Sequence, residues 1–145
     1  MVLLAEAWPQ NLPVADLPLA ASRLTGEPPD PEGVSNILLA TYSAGAVELH
    51  VEPMHCVARV SQFPVASVLA RSQARRGKCV TSTLHVMMEE ADERVCAFID
   101  LLDGTRDIAA LVRELLPLSQ LPEPELTLGI KENLRLLANK GLLIG

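Results

Sequence analysis

The segment 94–116, RVCAFIDLLDGTRDIAALVRELL, constrains the fold more than any other part of the chain. Apolar residues recur about every 3.6 positions in both of its halves, which predicts two amphipathic helices. The halves meet at Asp103-Gly104-Thr105, where Gly104 can take the left-handed conformation that ends a helix and Thr105 can cap the next helix. Asp107 falls in the first turn of that second helix, where the helix dipole favours a carboxylate. The segment therefore predicts a helix-turn-helix corner, which is a signal of fold and carries no chemistry.

The composition narrows the class of protein. Hydrophobic residues make up 49% of the chain and aromatic residues only 3%, so the core must be built from Leu, Val, Ile and Ala, which suits packed helices. The net charge of -6 argues against a general nucleic-acid binder. The three cysteines are odd in number and widely spaced, which predicts thiols in a reducing compartment.

The N-terminus lacks the basic start of a signal peptide, and no run approaches the roughly 20 apolar residues that span a bilayer. We therefore expect a cytoplasmic chain that makes no membrane contact. Because the sequence starts abruptly, we also expect it to be a piece of something longer.

Cap, turn and periodicity signals divide the chain into two halves. The first half is predicted to form three helices and then an alternating strand pair, over 1–8, 15–24, 31–44, 46–52 and 55–60. Three helices followed by a two-stranded hairpin is the order of a winged helix. The second half is predicted to hold a helix over 66–76, a strand within 78–88, the corner, a helix over 124–140 and a tail strand over 142–144 that pairs with 84–88.

The expected fold class is therefore mainly α with small β wings, built as two winged-helix-like lobes. The first lobe is predicted to span 1–60 and the second 61–145, with the helix-turn-helix at 94–116.

The sequence predicts no catalytic, cofactor or metal site. No strand leads into a glycine-rich phosphate loop, so no site for ATP, NAD or a methyl donor is expected. Cys79 near His85 is the one pair that nucleophilic catalysis could use, but only Lys78 makes its setting electropositive. The spacing typical of metal ligands is missing from the histidines and cysteines considered for it, which are His50, His55, Cys56, Cys79 and His85.

A basic cluster is the candidate interaction surface: Arg71, Arg75, Arg76 and Lys78. Four cations within eight residues can attract phosphate, nucleic acid or an acidic protein surface. The alternative is a solvated helix end, where cations are favoured by the helix dipole.

DNA binding through a winged helix is not predicted. The helix over 31–44 has no Lys or Arg to reach base edges. The last helix carries Lys131, Arg135 and Lys140, but it also carries Glu125 and Glu132.

Several motifs follow one another in a specific order over nearly the whole chain. They are Ala7-Trp8-Pro9 with Leu12-Pro13, Leu38-Leu39 through Ala44-Gly45-Ala46-Val47-Glu48-Leu49-His50, Pro64 with Ser67-Val68-Leu69-Ala70-Arg71-Ser72-Gln73-Ala74, Val80-Thr81 with Leu84-His85, and Leu101-Leu102-Asp103-Gly104-Thr105-Arg106-Asp107. Together they resemble the C-terminal part of bacterial S-adenosylmethionine-dependent methyltransferases with a methyltransferase regulatory domain, a family related to the rickettsial outer-membrane-protein lysine methyltransferases.

This resemblance implies that the catalytic domain, with its S-adenosylmethionine site, lies upstream of these residues and is the partner of this chain. The chain itself would then be a non-catalytic regulatory module that packs on the catalytic domain and helps to position a protein substrate. Ser82-Thr83 departs from the family, in which an Asn-Leu-Arg-like segment is usual, so a role for that Arg is not carried over.

A second resemblance covers residues 86–145. FIDLLDGTRDIAALVREL followed by NLRLLANKGLL is similar to the winged-helix modules of the PqqD type, which bind a leader peptide by adding it as a strand to a sheet edge. This implies the alternative of a free-standing peptide- or protein-interaction module. An excised module should expose a large apolar patch, whereas a free-standing binder should show a strand edge beside a groove. The positive mean hydropathy of +0.26 is compatible with a homodimer.

Overall fold

The computed structural model describes residues 2–77, 79–85, 87–88 and 92–145. Most of these residues are helical, and a small two-stranded sheet is the only sheet in these ranges. This confirms the predicted fold class, mainly α with a small β component. The chain separates into two compact units, one up to Met54 and one from His55 onward.

The described part of the first unit, 2–54, contains three α-helices. They are α1 (Val2–Ala7), α2 (Leu17–Thr25), which follows a short 3₁₀ turn at Val14–Asp16, and α3 (Pro31–Ser43). The Asp30 side chain accepts a hydrogen bond from the Gly33 amide at 2.9 Å, so the predicted cap of α3 is confirmed.

The hairpin predicted over 46–52 and 55–60 is wrong, because residues 46–60 contain no strand. The alternating pattern needs a surface that buries its apolar side, yet the side chains of Leu49 and Val51 are exposed. Instead of a partner strand, the side chain of Asn11 forms hydrogen bonds with the backbone of this segment. Its Nδ2 donates to the Glu52 carbonyl at 2.9 Å, and its Oδ1 accepts from the Met54 N–H at 3.1 Å. Along the chain, the boundary between the two compact units lies between residues 54 and 55, whereas the boundary between the lobes was predicted between 60 and 61. The winged-helix character of the first lobe stays a prediction.

Within the residues of the second unit that the structure describes, there are four α-helices and the sheet. Its elements are α4 (Val68–Ala74), β1 (Val80–Thr81), β2 (Met87–Met88), α5 (Glu93–Leu101), α6 (Ile108–Leu115) with a 3₁₀ turn at Leu116–Leu118, and α7 (Glu123–Asn139). The two strands are antiparallel, with Val80 opposite Met88 and Thr81 opposite Met87. Each helix lies within a few residues of its predicted range.

The second unit has a continuous core formed by α4 to α7, β1 and the residues after α7. Fully buried members include Ile99, Leu102, Leu111, Leu134 and Leu142. Each such side chain contributes about 1.5–3 kcal/mol when it leaves water, so this unit has a substantial driving force of its own.

The predicted partner of the tail is wrong. Residues 142–144 pair with none of the described residues of 84–88; Leu143 instead forms an antiparallel bridge with Ala66, and its carbonyl accepts a hydrogen bond from the Val57 N–H at 3.1 Å. Because this part of the tail is buried, its backbone groups need protein partners, and the tail finds them in two chain segments.

The helix-turn-helix corner is confirmed, with two corrections. Gly104 has the predicted positive φ of 85°, but it does not end the first helix, because α5 ends at Leu101 with Leu102 as its C-cap and the Gly104 N–H donates to the Pro64 carbonyl. Thr105 does not cap α6, since its hydroxyl donates to Asp103 Oδ1 at 2.6 Å. Asp107 is the cap, and its carboxylate accepts from the Ala110 N–H at 2.8 Å. A carboxylate is a strong acceptor at this position, and the Thr105 hydroxyl is already bonded within the turn.

Candidate interaction surfaces

The structure places Arg71 on α4 and Arg75 and Arg76 in the turn after it, where they have different surroundings. Arg71 is half-buried, and its Nε is buried with no hydrogen-bond partner among the described residues. Arg75 Nε pairs with Asp100 Oδ1 at 2.6 Å. Arg76 is exposed, and Lys78 lies outside the described residues. The role of this cluster as an interaction surface stays a prediction.

Many large apolar side chains of the first unit are exposed. On α3, the exposed fractions are 59% for Ile37, 59% for Leu39 and 53% for Tyr42. Leu39 and Tyr42 are three residues apart and share one face of the helix, while Ile37 points elsewhere. A helix that is apolar on several sides is usually covered by another structure. We call these three residues, together with the exposed Val2, Trp8, Val14, Leu19, Leu24, Leu49 and Val51, the N-terminal apolar surface.

An apolar groove of about 900 Å³ lies in the second unit, between α5 and α7. Its apolar lining includes Met88, Phe98, Leu118, Leu121 and Leu136. Since Met88 belongs to β2, a strand lies beside the groove. Sequence reasoning missed this groove because its lining comes from segments far apart in the chain. The one available signal was the apolar character of Leu118 and Leu121 in a Pro-rich loop.

The charges at the helix-turn-helix corner are satisfied internally. Asp103 accepts hydrogen bonds from the Thr105 hydroxyl and N–H and from Arg106 Nη1, and these bonds hold the pKa of its carboxyl at about 2. Arg106 Nε also pairs with Glu114 at 2.8 Å, and the two carboxylates raise the pKa of the guanidinium. This network fixes the start of α6 against the corner and is a structural device.

The cysteines and histidines form no evident chemical centre. Burial raises the pKa of the Cys56 thiol, and burial together with Asp92 and Glu93 raises that of Cys96, so neither is activated as a nucleophile. No group of three or more potential metal ligands occurs in the described ranges. Of the helices in the same part of the chain, none combines the length and apolar character needed to cross a membrane.

Comparison with known proteins finds a matching family model and similar solved structures. A family model described as "PKMT, C-terminal winged helix domain" matches residues 63–141. No curated protein matches the chain. Among solved structures, PKMT2 from Rickettsia typhi has a TM-score of 0.79 at 16% identity, covering 99% of this chain and 33% of that chain. The same protein in complex with AdoHcy has a TM-score of 0.74 at 16% identity, covering 97% and 32%. The chain therefore spans about a third of the length of these proteins and shares their fold over that part.

Proposed function

Because the chain belongs to the family of PKMT C-terminal winged helix domains, we propose that it is the non-catalytic accessory module of an S-adenosylmethionine-dependent protein methyltransferase. In this proposal the module packs on the catalytic domain and helps to position the protein substrate. The methyl donor and the catalytic groups belong to the catalytic domain, and the module works in the cytoplasm.

The N-terminal apolar surface is the observation that carries the proposal. Three large side chains of one helix, Ile37, Leu39 and Tyr42, are more than half exposed. Fully covering a large apolar side chain is favourable by about 1.5–3 kcal/mol, so a partner that covers the half-exposed Leu39 and Tyr42, which share one face, gains a few kcal/mol towards its binding cost. Such a surface fits a module that is covered by a larger protein.

Calorimetric titration of this chain with the catalytic segment of its parent methyltransferase tests the proposal. Leu39→Ser should weaken binding about tenfold, which corresponds to the loss of about 1.4 kcal/mol of interface burial. Leu128→Ser is the matched control, because Leu128 is equally exposed, at 59%, but lies on α7 in the second unit. Circular dichroism should show that both variants remain folded.

Two results would contradict the proposal. One is equal binding of the catalytic segment by the native chain and the Leu39→Ser variant. The other is binding of S-adenosylmethionine by this chain alone, since the module is proposed to have no donor site.

A second candidate function is a free-standing peptide-binding module. The observation in its favour is that Met88 of β2 lines the apolar groove, which places a strand beside a binding surface. Here Leu121→Ser should abolish capture of peptides, while the catalytic segment should not bind the chain at all. Sedimentation of the isolated chain distinguishes either function from homodimer formation, because a homodimer has twice the 15.6 kDa mass of the chain.

A further inference from the structure

A second cleft, of about 630 Å³, lies entirely within the second unit and is separate from the apolar groove. One wall is the chain segment 58–61, and the other is formed by α7 with the first residue of α6, Ile108. Three cations line it: Arg59 from the segment, and Lys131 and Arg135 from α7. We call it the basic cleft.

The basic cleft concentrates positive charge on an acidic chain. No Asp or Glu is among its lining residues, although the whole chain has a net charge of -6. Across the part of the chain that the structure describes, none of its three cations forms an ion pair with a carboxylate. Cations in a concave site focus their field and attract anions.

The cleft also has an accessible apolar part. Val60 and Ile108, on opposite walls, are half-buried, whereas Leu134 and Ala138 of α7 are already covered by the core. A free phosphate would use the cations and leave the exposed parts of Val60 and Ile108 in water. The complementary ligand therefore has both carboxylates and an apolar side chain.

Nucleic acid fits the site less well. Phosphate tracking needs a continuous basic face, whereas α7 also carries Glu123, Glu125 and Glu132. The three cations are confined to a cleft, which suits a short segment of a partner and not a long duplex.

The spacing of the α7 cations specifies the ligand further. Lys131 and Arg135 are one helical turn apart, so their side chains start about 6 Å from each other. In an extended peptide, side chains two residues apart point to one face and are separated by about 6.8 Å. Two carboxylates at positions i and i+2 of an extended peptide therefore match the two cations.

We propose that the basic cleft binds an extended acidic peptide segment. Its carboxylates at i and i+2 pair with Lys131 and Arg135, and an apolar side chain two residues further along packs on the half-buried Val60 and Ile108. Arg59 on the opposite wall attracts the same segment. The site uses only residues of the second unit, so this inference is independent of the proposed packing of the first unit on a catalytic domain.

Fluorescence anisotropy of a labelled peptide with the complete 145-residue chain tests this inference. The probe has the core Val-Ser-Glu-Ser-Glu-Ser-Val, which offers the apolar residue in either chain direction. Two comparison peptides have the glutamates replaced by glutamines, or placed side by side at unchanged composition. We expect the probe to bind about tenfold tighter than either, with an affinity that falls as salt is added.

Variants of α7 locate the binding. The double substitution Lys131→Gln with Arg135→Gln should weaken binding of the probe at least about tenfold. Lys140→Gln is the matched control, because Lys140 follows the same helix, is exposed and does not line the basic cleft. Its affinity for the probe should equal that of the native chain, and circular dichroism should show unchanged helix content in all variants.

Several results would overturn the inference. They are no binding of the probe at about 1 mM protein, equal binding of the three peptides, or an equal loss in Lys140→Gln and the double variant. Pyrophosphate that displaces the probe at lower concentration than the unlabelled peptide does would make the cleft a phosphate site. A short DNA duplex that binds more tightly than the probe, and is lost in the double variant, would make it a nucleic-acid site.

Discussion

Arg75 Nε donates a hydrogen bond to Asp100 Oδ1 at 2.6 Å, which joins the end of α4 to α5. The side chain of Arg75 is 62% exposed and that of Asp100 is 36% exposed, so water and salt screen this pair. A double-mutant cycle with Arg75→Gln and Asp100→Asn should give a coupling energy below about 1 kcal/mol that shrinks at high salt. Denaturant unfolding of the four proteins measures it.

The Arg106–Asp103 pair is the natural control for that cycle. Its side chains are 26% and 29% exposed, and its nitrogen and oxygen atoms are 2.8 Å apart. Its coupling should therefore be larger and less sensitive to salt. A coupling above about 2 kcal/mol for Arg75 and Asp100 would contradict the prediction.

Asp103 should make stability depend on pH in the acid range. Its pKa is about 2 in the folded protein, lowered first by the Thr105 hydroxyl, then by the Thr105 N–H and Arg106, from an ordinary value of 3.8. A depressed folded-state pKa contributes stability that is complete above the unfolded pKa and is lost as the pH falls from about 4 to about 2. Because the side chain is partly exposed, we expect a contribution of at most about 2 kcal/mol.

Thermal unfolding of the native chain and of Asp103→Asn between pH 5 and pH 2 checks this. The variant should be less stable at pH 5, and its stability should fall less on acidification. Asp107→Asn is a control at the same corner, because it keeps a capping oxygen for Ala110 and leaves the Asp103 bonds in place. Identical acid profiles for the native chain and Asp103→Asn would contradict the assignment.

Gly141 should tolerate no side chain. It has a φ of +67°, and an added Cβ would lie 2.5 Å from Leu84 Cγ. Gly141→Ala should therefore cost more than about 2 kcal/mol, from left-handed strain of about 1 kcal/mol plus the displacement of Leu84. Gly77→Ala is the matched control: its φ is +61° and nothing lies near its added Cβ, so it should cost only the strain. Equal losses in denaturant unfolding would show that the contact with Leu84 is unimportant.

Leu143 should be a major determinant of stability. Its side chain is fully buried, and Leu143→Ala should cost about 2–5 kcal/mol because it leaves a cavity. The neighbouring Ile144 is 40% exposed, so Ile144→Ala should cost less than about 1.5 kcal/mol. Calorimetric melting of the two variants compares them, and similar melting temperatures would contradict the buried position of the tail.

The parts of the fold that could be predicted from the sequence rest on local signals. Asp30 caps α3, and Gly104 takes a positive φ in the turn between α5 and α6, because capping and left-handed turns depend on a few adjacent residues. The hairpin over 46–60 failed because alternation alone does not show whether a second surface is available to bury Leu49 and Val51.

The surfaces could not be predicted because they combine residues from distant parts of the sequence. Asp100, the partner of Arg75, is 25 positions away along the chain. The sequence of the basic cluster therefore does not show that one of its cations is paired with a carboxylate. The basic cleft brings Arg59 together with Lys131 and Arg135, which no spacing rule connects. The tail likewise pairs with Ala66 and with none of the described residues of 84–88, although these are nearer in sequence. The reason is that burial, and not proximity in sequence, decides such pairing.

The position of the tail also bears on how the protein emerges during synthesis. Val57 and Ala66 are translated early in the second unit, and both pair with Leu143, near its far end. The unit can therefore not close its core while the ribosome is still adding the residues between them. Until Leu143 has left the exit tunnel, the backbone groups around Ala66 that the tail satisfies in the folded unit have no partner there.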